Sequence, residues 1–128
     1  MKDTEEIIRT VIRCASKVRR HLAAGFLESI YQKALTIELQ ACGLQAEMEY
    51  PIQVYYRDIV VGEFKVDILV ERRIIVELKA VLNLHPIHEA QLVNYLTATH
   101  IDDGLLINFG GEKLEIKRKY RIYRPPQP

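Results

Sequence analysis

Residues Gly62–Ala80 read GEFKVDILVERRIIVELKA. Two apolar, β-branched runs, Phe64–Val70 and Ile74–Ala80, flank the charged tip Glu71-Arg72-Arg73, which is the pattern of a β-hairpin with a short loop. With a three-residue loop and Val70 opposite Ile74, Asp67 falls opposite Glu77, because the two numbers are symmetric about Arg72. Directly opposed residues share a face, with Cβ atoms about 4.5–5.5 Å apart. Lys79 follows Glu77 by two residues, so the strand period puts it on that same face, roughly 6.5 Å further along. A two-residue loop at Arg72-Arg73 would instead send Glu77 to the opposite face from Asp67.

Two carboxylates and an ammonium thus converge in runs dominated on both faces by Val, Ile, Leu and Phe, the mark of a central strand pair covered on both sides. Carboxylates this close repel and raise a pKa unless a cation sits between them. A buried, unpaired carboxylate is also costly. A hard divalent ion bound through oxygen, such as Mg²⁺ or Mn²⁺, meets that need. The alternative for a D…ExK spacing taken alone is a half-exposed hairpin with an ion-pair ladder.

The chain has 128 residues, enough for one domain spanning 1–128 with a core that needs no staples. Its formal net charge is only +1, so any nucleic-acid surface has to come from local clustering. Cys14 and Cys42 lie in helical segments without CxxC or zinc-like spacing, which predicts reduced thiols. The start MKDTEE is no signal peptide and no apolar run approaches a membrane span, so a cytoplasmic protein is expected. The PPQP tail reads as a frayed end.

Working back toward the N-terminus, Ile7, Ile8, Val11, Ile12, Ala15 and Val18 predict a helix from Thr4 to about Ala23, with Thr4 as its cap. Its other face carries Arg9, Arg13, Lys17 and Arg20, either a solvated face or a phosphate contact. A second helix is expected over 25–44, with Gly43 ending it. Within it Gly25, Glu28 and Tyr31 fall three apart, which places Glu28 and Tyr31 on one side of the first turns. A glutamate at a helix start is otherwise an ordinary dipole complement. From Ala46 the pattern turns to strands: Ala46–Tyr56, with Pro51 at an edge or bulge, then a turn at Arg57-Asp58, and Ile59–Val61 before a bend at Gly62. With the hairpin this makes a three-stranded antiparallel meander.

After the loop Asn83–Pro86 a helix from His88 to about Thr99 carries His88, Gln91 and Tyr95 in a stripe of roughly 60°. A core tyrosine beside a surface glutamine is the plain reading of that stripe. Asp102-Asp103-Gly104 turns the chain into a buried strand, Leu105–Phe109, which follows the Glu77 strand through a helix and so should run parallel to it in a right-handed crossover. The last run, Lys113–Arg124, is basic at KRKYRIYR, suited equally to phosphate and base contacts and to a charged edge strand.

Asp67, nine intervening residues and Glu77-Leu78-Lys79 resemble the metal-binding signature of the PD-(D/E)XK nuclease superfamily, with Val66 where a proline usually precedes the aspartate. The string G-x-x-E-x-x-Y at Gly25–Tyr31, followed by Tyr55-Tyr56, Gly62-Glu63, Asp67, VELKA, HEAQL, Tyr95 and GLLINFG, closely resembles the small GxxExxY proteins, a branch of that superfamily. Gln91 and Tyr95 match the QxxxY motif of its exonuclease-like branch, which lies beside the active site and contacts nucleic acid.

This resemblance, which covers about Thr4 to Tyr120, implies an α/β fold: a restriction-endonuclease-like (PD-(D/E)XK) core with N-terminal helices, the antiparallel meander, a crossover helix and a parallel strand. It implies a metal-dependent nuclease with Glu28, Asp67, Glu77 and Lys79 as catalytic residues. Mg²⁺ or Mn²⁺ would be held by Glu28, Asp67, Glu77 and the Leu78 carbonyl, and Tyr31, His88, Gln91 and Tyr95 would face the substrate. Nucleic acid, DNA ahead of RNA, is the implied partner, with no membrane, and the small surface of one copy leaves room for a homodimer. A binding module of nucleic acid or protein on the same fold is the competing reading. A small-molecule phosphohydrolase is disfavoured, because no glycine loop resembles a phosphate cradle.

Overall fold

The computed structural model describes residues 2–122. The chain forms α1 (Thr4–His21), α2 (Glu28–Ala41), β1 (Ala46–Tyr56), β2 (Ile59–Val70), β3 (Ile74–Lys79), α3 (Pro86–Thr99), β4 (Asp103–Asn108) and β5 (Glu115–Tyr120). One sheet of order β1-β2-β3-β4-β5 carries all five strands, antiparallel except for the parallel β3–β4 pair, as the crossover through α3 requires. This is the expected α/β architecture. Tyr123, Arg124 and the PPQP tail lie outside the described residues.

The sheet is covered on both faces. Ile7, Val11, Val18, Leu35 and Leu39 of α1 and α2 pack on Ile68, Val76 and Ile107, and Leu92 and Leu96 of α3 pack on Leu69, Ile75 and Leu106 on the other side. That double cover explains why Ile74–Leu78 is buried at every position, the continuous apolar run of a central strand. Among the described residues no helix is long and apolar enough to cross a membrane.

Several boundaries differ from expectation. The cap of α1 is Asp3, not Thr4: its carboxylate accepts the Glu6 N–H at 2.8 Å. The segment Gly25–Leu27 stays outside α2, which starts at Glu28, while Gly43 (φ 82°) closes it as expected. The Gly43 N–H reaches Gln40 O (2.9 Å) and the Leu44 N–H reaches Leu39 O (3.1 Å), a paired C-terminal lock. Gly62 is no bend between separate strands but a paired residue inside the continuous β2. The irregularity is a register shift at Val54/Tyr55 that leaves Val61 as the extra residue. Helix α3 starts earlier than His88, because His85 caps it and Pro86 fits its first turn. Strand β4 likewise starts at Asp103, within the residues read as a turn.

The β2–β3 loop is the expected three residues: Val70 pairs with Ile74, and the Arg73 N–H closes a turn on Val70 O at 3.0 Å. Glu71 and Arg72 both have φ of 52°. Strand β5 is an edge strand of the sheet, and its cations are paired. Lys117 (3.6 Å) and Lys119 (2.9 Å) both hold Glu89, and Arg118 holds Glu5 and Asp103. On α1, Lys17 is paired with Glu38 at 3.3 Å.

Candidate active site

The β2–β3 ladder ends at Ile68–Val76, one residue short of Asp67 and Glu77. Beyond it the strands splay, and the two acids take over the missing bonds. The Asp67 N–H donates to Glu77 Oε1 at 3.0 Å, and the Leu78 N–H donates to Asp67 Oδ2 at 2.7 Å. The register therefore brings Asp67 and Glu77 together. One oxygen of each carboxylate is spent on the backbone.

The electrostatics are those of acids forced together in a poorly hydrated place. Glu77 is only 7 % exposed. Burial first and the Asp67 charge second push its pKa up to about 8, against the Asp67 N–H and Lys79 that favour the anion. Asp67 is also raised, by burial above all, although the Leu78 N–H opposes the shift. Glu28, the first residue of α2, is exposed, yet its carboxyl lies within reach of the Asp67 and Lys79 charges. Lost hydration and then Asp67 raise its pKa. Lys79 ends β3, half-buried, and its charge acts on Glu28, Asp67, Glu77 and His88 together.

Tyr31 does not face a substrate. It is fully buried, stacked on Phe109 with ring centroids 4.7 Å apart, and its hydroxyl donates to Ala23 O (2.5 Å) and accepts the Phe26 N–H (3.2 Å). Positions three apart on a helix differ by about 60°, which is enough for Glu28 to lie near the acids while Tyr31 turns into the core. The tyrosine of G-x-x-E-x-x-Y thus pins the loop that delivers the glutamate.

The model of the PD-(D/E)XK nuclease superfamily matches residues 5–119. The chain belongs to this superfamily. Among solved structures, the crystal structure of SSO0001 is similar in fold, with a TM-score of 0.59 at 16 % identity over 75 % of this chain. The match spans 50 % of that longer chain. No curated protein matches the chain.

PD-(D/E)XK domains generally use divalent metal ions, and here α3 lies near the acids: Glu77 and Asp67 act on Tyr95, and Lys79 acts on His88. Tyr95 stacks on Phe64 with centroids 3.9 Å apart, and its pKa is raised by burial and by the charges of Glu77 and Asp67. His88 accepts the His85 N–H on Nδ1 (3.1 Å), which leaves its proton on Nε2 as a donor. Burial and then Lys79 lower its pKa, which favours the neutral ring. Gln91 is exposed on the same helix.

The donor set suits a hard cation: carboxylate oxygens with unspent lone pairs, whose crowding makes the metal-free anions costly. Asp67 and Glu77 are the pair tied together by hydrogen bonds, and Glu28 acts on both through its charge. Among the described residues no three Asp, Glu, His or Cys side chains are already gathered about one point.

Two residues with no forecast role complete the site's frame. Asn108, fully buried at the end of β4, accepts the Val81 N–H (3.0 Å) on Oδ1 and donates to Val81 O (2.8 Å) from Nδ2, which fixes the chain just past Lys79. Its signal was an asparagine inside the apolar run LLINF. Gln32, one turn after Glu28, donates to Asp67 O at 2.9 Å and had no motif to mark it.

Proposed function

We propose that this chain is a divalent-metal-dependent nuclease of the GxxExxY branch, a single domain over 1–128 that hydrolyses phosphodiester bonds in DNA or RNA, with DNA the preferred target. The observation that carries the reading is the buried Glu77 held against Asp67 beside Lys79, an arrangement unfavourable in the metal-free protein and suited to a cation.

Glu28, Asp67, Glu77 and the Leu78 carbonyl would hold Mg²⁺ or Mn²⁺. Bound there, the ion supplies a Lewis acid for the scissile phosphate and makes water a stronger acid. Lys79 orients the attacking water and offsets the negative charge that builds on the phosphate. The His88 Nε2–H, the Gln91 amide and the Tyr95 hydroxyl of α3 serve as donors to the nucleic acid. One copy offers little surface to grip a duplex, which favours a homodimer, and the free thiols Cys14 and Cys42 suit the reducing cytoplasm.

A second reading is a nucleic-acid or protein-binding module with little turnover. It is favoured by the lack, among the described residues, of three metal-ligating side chains already gathered about one point. Incubation with single-stranded, duplex and branched DNA and RNA in Mg²⁺ or Mn²⁺ decides between them. Cleavage lost in Glu77→Gln, and reduced about 10²-fold or more in Lys79→Met with folding intact, supports the nuclease. Binding across the panel without cleavage supports the module.

A further inference from the structure

Asp67 lies in a row of the sheet where neither neighbouring strand pairs with its backbone. On the β3 side the ladder has ended at Ile68–Val76. On the β1 side Met48–Ile68 and Tyr50–Val66 flank an unpaired step at Glu49, whose φ of 53° lies in the left-handed region. A residue in that conformation cannot keep its peptide in the ladder. Both strands change face at this step. Phe64 and Val66 pack under α3, whereas Ile68 and Val70 pack under α1 and α2. The Asp67 carbonyl is left without a strand partner in the interior of the site.

The amide of Gln32 takes that place. Its Nε2 donates to Asp67 O at 2.9 Å and to Glu49 Oε1 at 3.1 Å, and the side chain is buried with only 7 % of the residue exposed. Gln32 follows Glu28 by one helical turn, so one side of α2 serves the acids and the Asp67 main chain together.

We infer that Gln32, braced by Glu49, is the positioning residue for Asp67. It locks the Asp67 peptide so that the carboxylate stays on the Leu78 N–H, in line with Glu77. The consequence for ion binding rests on the metal-site reading. The lock on Asp67 does not.

Gln32→Met keeps the length of the side chain and removes both donors. Hydrogen exchange of the Leu78 amide should accelerate severalfold in this variant, while the Leu105 and Leu106 amides of β4 keep their protection. Mn²⁺ affinity, measured by titration calorimetry without nucleic acid, should weaken about tenfold, the lower end of the loss when a partner behind a metal ligand is removed. Glu49→Gln, which keeps an acceptor for the Gln32 amide, should show neither effect and leave Leu78 protected as in the wild type. If Gln32→Met does not fold, Glu49→Ala at its exposed position removes the brace and repeats the comparison. Unchanged Leu78 exchange, or uniform acceleration across the sheet, overturns the inference. Wild-type protein that takes up no Mn²⁺ overturns the metal-site reading instead, and the Leu78 exchange still decides the role of Gln32.

Discussion

Asp67 and Glu77 are tied to each other's strands: Glu77 Oε1 accepts the Asp67 N–H, and Asp67 Oδ2 accepts the N–H of Leu78, the residue after Glu77. Each acid is therefore a structural acceptor as well as a charge. Amide substitutions keep an acceptor oxygen and remove the charge, whereas alanine removes both. Leaving either buried N–H without a partner would cost about 1–3 kcal/mol. Asn and Gln variants are thus the ones that separate chemistry from folding.

The first prediction is a pH dependence in chelator. Glu77 has a pKa of about 8 in the folded protein, above its value in the unfolded chain. Between the ordinary carboxylate range and pH 8 the folded state holds more protons than the unfolded one, so stability should fall as pH rises through that window and level off above it. The slope is bounded at about 1.4 kcal/mol per pH unit for one group. Glu5 and Glu89, lowered by their hydrogen bonds to Arg118 and Lys119, act only in acid. Urea unfolding at pH 5, 6.5 and 8 should show the decline in the wild type and lose most of it in Glu77→Gln. Subtracting the two curves cancels the opposite contribution of His88, whose pKa is lowered. Equal slopes would mean that Glu77 titrates normally.

A second prediction reverses that effect with metal. An ion that binds the folded site and not the unfolded chain stabilises by about 2.7 kcal/mol at one hundred times Kd, a rise of several degrees in Tm for a domain of this size. Asp67→Asn should be more stable than the wild type in chelator at pH 8, through relief of repulsion, and should lose most of the Mn²⁺ increment. An increment unchanged by the substitution would place the ion elsewhere.

Much of this architecture is legible in the sequence. Period-two and helical patterns yield the elements, the intervening helix yields the parallel β3–β4 pair, and the symmetry of Asp67 and Glu77 about Arg72 yields their meeting. What strand periodicity misses is the step at Glu49 and Asp67. Phe64, Val66, Ile68 and Val70 read as one continuous face, yet they divide between the two sides of the sheet. No glycine announces the left-handed residue at that step, because Glu49 occupies it. Tyr31 misleads for the opposite reason: its spacing from Glu28 is right, but a 60° offset at the edge of the core separates an exposed residue from a buried one. Pairing of the β5 cations depends on Glu5, Asp103 and Glu89, acids distant in the chain that no local charge pattern reveals.

A third prediction concerns the crossing that holds Lys79 in place. A Cβ on Gly110 would lie 2.4 Å from the Ala80 carbonyl carbon and 2.5 Å from Val81 N, both backbone atoms without freedom to retreat. Gly110→Ala should destabilise the protein by about 1–3 kcal/mol, the usual cost of forced overpacking, and should disturb the Val81 bonds of Asn108 next to it. Gly62→Ala, with open space around its Cβ position, is the control and should cost much less. Similar melting temperatures for the two variants would refute the account.

The last prediction uses the other hairpin, far from the acids. Tyr56 and Ile59 pair across a two-residue turn in which Arg57 and Asp58 have φ of 50° and 63°. Both therefore occupy left-handed backbone, the type I′ geometry that matches strand twist and that Asn-Gly adopts most readily. A left-handed conformation costs an ordinary L-residue about 1–2 kcal/mol, less for aspartate, whose side chain tolerates it. Neither side chain makes a hydrogen bond or ion pair among the described residues, so little is lost on replacement. The double change Arg57→Asn/Asp58→Gly should raise stability by about 1 kcal/mol, most of it from the arginine position, and leave the pH slope of Glu77 untouched. Urea unfolding of the double variant and of each single one, at pH 5 and pH 8, measures both. A loss of stability in Arg57→Asn would show that Arg57 contributes something its exposed turn does not reveal, and a changed pH slope would couple this hairpin tip to the acids.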